Sequence, residues 1–118
     1  MTFLFQIIFL FITADQPRQV LLFSKDNNEV LLKKQLAEFE KNEAGMKERD
    51  IEVKVYKVST ETADTFKRWK IKELDSFTFI LIGRDGGEKH RSGNFVSHQD
   101  LFGKIDAMPM RRNEIGNN

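Results

Sequence analysis

The sequence predicts an α/β domain: one four-stranded mixed sheet flanked by helices, in the order β-α-β-α-β-β-α. Three observations lead there. Two short apolar runs, Val20–Phe23 and Phe77–Ile82, have the pattern of strands covered on both faces. A helical stripe separates the first run from an alternating strand, Ile51–Tyr56, and a helix joining two strands of one sheet requires a parallel pair. Asp85-Gly86 then supplies the turn that folds the third strand back on a fourth.

Each element follows from its residues. Ser24–Asn28 is a polar loop after the first strand; Asp26 or Asn28 caps the first helix, and Glu29, three residues after Asp26, completes a capping box. Leu32, Leu36 and Phe39 form its apolar stripe, Lys33, Lys34, Glu38 and Lys41 face water, and Gly45 is placed as the stop. Ile51, Val53 and Val55 alternate with Glu52, Lys54 and Tyr56, which gives the second strand one buried face. Ser59 and Thr60 begin a shorter helix with Ala63, Phe66 and Trp69 on one side. Thr78 is the only polar residue of the third strand, and Gly83–Gly87 turns into Glu88–Ser92. Ser97, with Asp100 three positions on, opens the last helix; Leu101, Ile105 and Met108 share its inner face and Pro109 ends it. This order is the thioredoxin-like arrangement. The domain is expected over residues 18–114, with a flexible tail at 115–118.

The composition narrows the function classes. A length of 118 residues has room for one compact domain. Nineteen Lys and Arg against 18 Asp and Glu leave a net charge of +1, without the basic excess of a nucleic-acid binder. An apolar fraction of 40%, with 11 Phe, argues for a packed core. There is no cysteine, which excludes disulfides, thiolate metal sites, cysteine nucleophiles and dithiol exchange together. On a thioredoxin-like pattern, that removes the activity the fold would otherwise suggest.

Residues 1–14 are expected to be an export signal. Phe3–Ala14 (FLFQIIFLFITA) is uncharged, too short for the roughly 20 residues of a membrane span, and followed at once by Asp15-Gln16-Pro17-Arg18. No cation precedes the run and Ile12 is bulkier than the residue preferred there, so a first core strand or a misassigned start is the competing reading. Export would place the chain in the periplasm or outside the cell.

Candidate chemistry is sparse. In redox proteins of this architecture two cysteines sit where the first strand meets its helix; here Ser24-Lys25-Asp26-Asn27-Asn28 stands there, and Ser24 has no base nearby in sequence. Asp75-Ser76-Phe77 replaces the proline expected before the third strand. His90 and His98, even with Asp100, match no metal-ligand spacing and read as solvated side chains. Gly83–Gly87 lacks the Gly-Lys-Ser/Thr ending of a phosphate loop and reads as a hairpin turn. No catalytic residue, metal or cofactor is therefore expected. Lys47-Glu48-Arg49-Asp50 reads as a solvated loop with weak ion pairs. Arg111 and Arg112 complement a helix C-terminus in the plain reading. In the sharper one, Arg84, Arg91, Arg111 and Arg112, with Lys89 beside them, contact an anion, a polysaccharide or a partner.

Gly45–Ile51 (GMKERDI), Ile82–Lys89 (IGRDGGEK) and Ile105–Arg112 (IDAMPMRR) resemble the signature blocks of the P-DUDES domain, and the resemblance extends over Arg18–Glu114. That domain stands alone in bacterial proteins and occurs as a module in vertebrate secreted proteins such as Equarin and the sushi-repeat proteins. The resemblance implies a thioredoxin-like fold, an exported location and no cysteine pair, with a suggested link to oxidative-stress defence but no defined reaction. The expectation is a non-catalytic module that binds a protein or envelope ligand, without nucleic acid and without a stable transmembrane span. The alternative is an accessory role in oxidative-stress defence, in which Met46, Met108 or Met110 would be the oxidisable groups.

Overall fold

The computed structural model describes residues 16–116. Its elements are β1 (Arg18–Ser24), α1 (Val30–Lys41), α2 (Glu43–Glu48), β2 (Ile51–Lys57), α3 (Ala63–Arg68), β3 (Phe77–Ile82), β4 (Glu88–Ser92), α4 (His98–Asp106) and α5 (Pro109–Gly116). The strands form one mixed sheet in the order β2-β1-β3-β4. β1 runs parallel to β2, with Val20 opposite Val53, and antiparallel to β3, with Leu22 opposite Phe79. The hairpin pairs β3 with β4 and carries an irregularity between Leu81 and Ile82. Gly86, at φ 82°, takes the left-handed conformation its turn requires. The expected export signal, residues 1–14, lies outside the described residues.

The two apolar runs are apolar throughout because both faces of the sheet are covered. Val20 and Leu22 face one core with Phe79, Leu81, Leu32, Phe39, Leu101 and Ile105. Leu21 and Phe23 face a second, smaller core with Ile80, Ile82 and Phe66. Phe23 stacks on Tyr56, with ring centroids 5.0 Å apart, and meets Phe66 edge-on at the same distance. β2 is an edge strand, so Ile51 and Val53 are only half-buried and Val55 is exposed.

Four local expectations need correction. The first helix has no side-chain cap: Asp26 spends its carboxylate on the backbone N–H of Asn28, and Glu29 enters the helix in a left-handed conformation, φ 54°. Its inner face is Leu32, Gln35 and Phe39, and Leu36 is turned outward. Gln35 is fully buried because it replaces a missing strand partner: its Nε2 donates to the Val96 carbonyl at 2.8 Å and its Oε1 accepts from the Val96 N–H at 2.9 Å. Gly45 stops nothing; it sits inside α2, where a Cβ would lie 2.5 Å from the Phe102 ring. Pro109 follows the end of α4 but opens α5, since the first helical position needs no N–H. That helix runs through Gly116, so residues 115 and 116 are helical and do not belong to a tail.

Candidate functional site

The corner where β1 meets α1 holds no reactive constellation. Ser24 is buried, its carbonyl accepts from the Val58 N–H, and Lys25 donates to the Lys72 carbonyl at 2.8 Å. Among the described residues no three His, Asp or Glu side chains gather as a metal site. His98 is tied down, with Nδ1 2.7 Å from Glu38 Oε2, and the His98 backbone N–H donates to the same oxygen at 2.9 Å. That backbone bond, followed by the ring, lowers the Glu38 pKa. His90 meets Phe79 edge-on; burial, with Lys104 nearby, lowers its pKa. The two histidines do not converge on a shared ligand.

At the opposite end of β1 the charged residues gather. Arg18 is 1% exposed; it donates to the Arg49 carbonyl at 2.7 Å and forks onto both Glu114 oxygens, at 3.4 and 3.2 Å. Glu114 also accepts from Arg84 Nε at 2.9 Å, and Arg84 Nη1 reaches Asp50 Oδ2 at 2.8 Å. Asp50 is presented from the turn into β2 by a left-handed backbone, φ 52°. Arg49 grips Asp106 with two parallel bonds, at 3.1 and 2.9 Å. Arg111, 3% exposed, completes the mesh: Nε bonds Asp106 at 3.1 Å, Nη2 bonds Glu48 at 3.1 Å, and Nη1 lies 3.6 Å from Glu114. Four guanidiniums and four carboxylates thus neutralise one another and fasten α5 across the ends of β1 and α2.

The shifts follow from the contacts. Hydrogen bonds from Arg49, then Arg111, outweigh burial and lower the Asp106 pKa. Burial opposes the Glu114 charge, yet the bonds from Arg18 and Arg84 override it and hold that pKa down as well. Arg111 and Arg84 are likewise pushed up, their acidic partners overcoming the cost of burial.

This arrangement corrects two readings. Lys47-Glu48-Arg49-Asp50 is no solvated loop: Glu48, Arg49 and Asp50 each supply a side chain to the mesh. Arg111 is no free anion contact, because α5 begins before it and its inward face carries Arg111 onto Asp106. Arg91 lies apart, bound to Glu88 and the Trp69 carbonyl, and Arg112 is exposed. The four arginines therefore do not form one site. The segments Gly45–Ile51, Ile82–Lys89 and Ile105–Arg112 do converge, since Glu48, Arg49 and Asp50 meet Arg84 and meet Asp106 and Arg111 here. Arg18 and Glu114 had no local signature, although a charge two residues before the apolar run Val20–Phe23 is a visible anomaly.

Beside the mesh lies a cleft of about 350 Å³ between the hairpin turn and the start of α5. Arg18, Arg84 and Lys89 line one side, and Met108, Pro109 and Met110 the other. A drug-sized ligand fits a volume of this order.

A four-stranded mixed sheet with this topology, flanked by helices and without cysteine, defines a thioredoxin-like domain that lacks the dithiol site. The sequence matches a domain of unknown function, DUF4174, over residues 9–114, and the chain belongs to that family. The fold is similar to the reduced 2-Cys peroxiredoxin of Plasmodium vivax, with TM-score 0.63 and 17% identity, covering 92% of this chain and 84% of that one. The mitochondrial 2-Cys peroxiredoxin of Plasmodium falciparum aligns with TM-score 0.63 and 15% identity, over 90% of this chain and 82% of the other. Thioredoxin-2, described as a component of the malaria parasite protein secretion machinery, aligns with TM-score 0.54 and 22% identity, over 78% of this chain and 84% of its own. Comparison with curated proteins returned no match. Among the described residues no helix is long and apolar enough to cross a membrane.

Proposed function

We propose that this chain is an exported, non-catalytic binding module of the P-DUDES type, and that its working face is the cleft beside α5. One observation carries this reading: the corner that holds chemistry in redox relatives of the fold has no reactive group, while the opposite end of β1 combines a rigid charged frame with an open cleft. A frame of mutually satisfied charges orders side chains without leaving them reactive. The oxidative-defence alternative has less to draw on, because Met46 is buried, Met108 is half-buried and Met110 alone of the three is exposed. Fold likeness to peroxiredoxins licenses no peroxidase activity.

Isolation of the native chain tests both halves of the proposal. The expected product has the mass of residues 15–118, is found in the envelope or outside the cell, and elutes in an assembly larger than the free chain. Met110→Asp is expected to return it to free-chain size without unfolding it, since Met110 is exposed and an acidic residue suits the first turn of a helix. A full-length cytosolic product contradicts export, and an unchanged assembly in the variant contradicts recognition through this face.

A further inference from the structure

We infer that the cleft beside α5 takes a small organic monocarboxylate with an apolar body, an assignment that rests on the binding-module reading above. The charges are sided. Arg18, Arg84 and Lys89 border the cleft, whereas Asp50 and Glu114, which balance the arginines, line a neighbouring depression that shares only Arg84 and Met110 with it. Asp85, the one carboxylate on the cleft side, is held by Lys89 Nζ at 2.8 Å and by the Gly87 N–H at 2.9 Å. Arg84 and Lys89, both partly exposed, therefore meet the cleft over buried Arg18, while the carboxylates that balance the arginines line the neighbouring depression.

Two further features point to an anion. Among the described residues only two buried side-chain polar atoms lack a partner, and one of them is Nε of Arg18, a residue that lines this cleft. The eight-residue helix α5 also begins at the cleft, through Pro109 and Met110, and has no acidic residue in its first turn to meet its dipole. The opposite wall sets the rest of the ligand. Met108 and Met110 offer thioethers and Pro109 has no N–H, so this side suits an apolar body and leaves a phosphate's additional oxygens without donors.

Octanoate is the probe, titrated into the native chain and followed by amide shifts of Gly83, Arg84 and Met110. Saturable binding is expected, at least about tenfold tighter than that of acetate or 1-octanol, because only octanoate joins the charge to the tail. Lys89→Gln is expected to weaken it by about fivefold, with a smaller salt dependence. Binding of 1-octanol as tight as that of octanoate overturns the assignment, as does tighter binding of inorganic phosphate or no shift up to about 10 mM octanoate, a level that would detect even millimolar affinity. If octanoate leaves the amides unmoved while Met110→Asp still releases the native assembly, the ligand class is wrong and the binding-module reading stands. Octanoate binding with these preferences while Met110→Asp leaves the assembly intact supports the ligand class and removes the larger partner.

Discussion

Glu114→Ala is expected to destabilise the domain by about 3–5 kcal/mol, because it leaves a buried guanidinium without its carboxylate. Arg18 is 1% exposed and would keep only the Arg49 carbonyl, while Arg84 would retain Asp50. Of the 5–15 kcal/mol typical for a domain, such a loss is a large part, and α5 would lose its main anchor to β1. Urea denaturation at neutral pH measures it. The double variant Arg18→Met with Glu114→Leu is expected to recover most of the loss, since no buried charge is then stranded. A single-variant cost below about 1 kcal/mol would mean that the pair behaves as a surface ion pair. The pH dependence has a definite sign. Glu114 and Asp106 have lowered pKa values in the folded chain, so their stabilisation is present above the ordinary carboxylate range and is lost as pH falls through the lowered folded values. The acid limb of the Glu114→Ala variant should accordingly be shallower than that of the native chain.

Gln35→Ala is the second large effect. It strands the N–H and C=O of Val96, a residue 5% exposed, at about 1–3 kcal/mol for each orphaned group. The same urea midpoint reads it, and Gln35→Met, which fills the space without the bonds, should recover only the packing share. A Met variant as stable as the native chain would show that the two hydrogen bonds contribute nothing net.

The parts of the fold that were legible in the sequence are those that local pattern determines. Val20–Phe23 and Phe77–Ile82 announce strands with two buried faces, Asp85-Gly86 announces a hairpin, and Ser97 with Asp100 announces a helix start that the structure realises, Ser97 Oγ accepting from the Asp100 N–H. The misreadings occur where a residue serves a distant neighbour. Gln35 carries no local signal of its role because its partner, Val96, is 61 residues away. Gly45 resembled a helix stop because the ring it accommodates, Phe102, belongs to α4. The candidate site was less legible still: Arg18 and Glu114 are 96 residues apart, and charges that satisfy each other across such distances look in sequence like ordinary solvated ones. Of the cations suspected from the sequence, Arg84 and Lys89 border the cleft, Arg111 is consumed by the mesh, and Arg91 lies elsewhere.

The two ends of β1 compete as the working face, and photo-crosslinking from two positions in intact native cells compares them directly. A photoreactive residue at position 110 samples the cleft beside α5; one at Val58, also exposed, samples the corner with Lys25 and Phe66 where redox relatives carry their cysteines. The account predicts a discrete adduct from position 110 and none from position 58. Adducts from position 58 alone would contradict it and return the working face to the corner between β1 and α1.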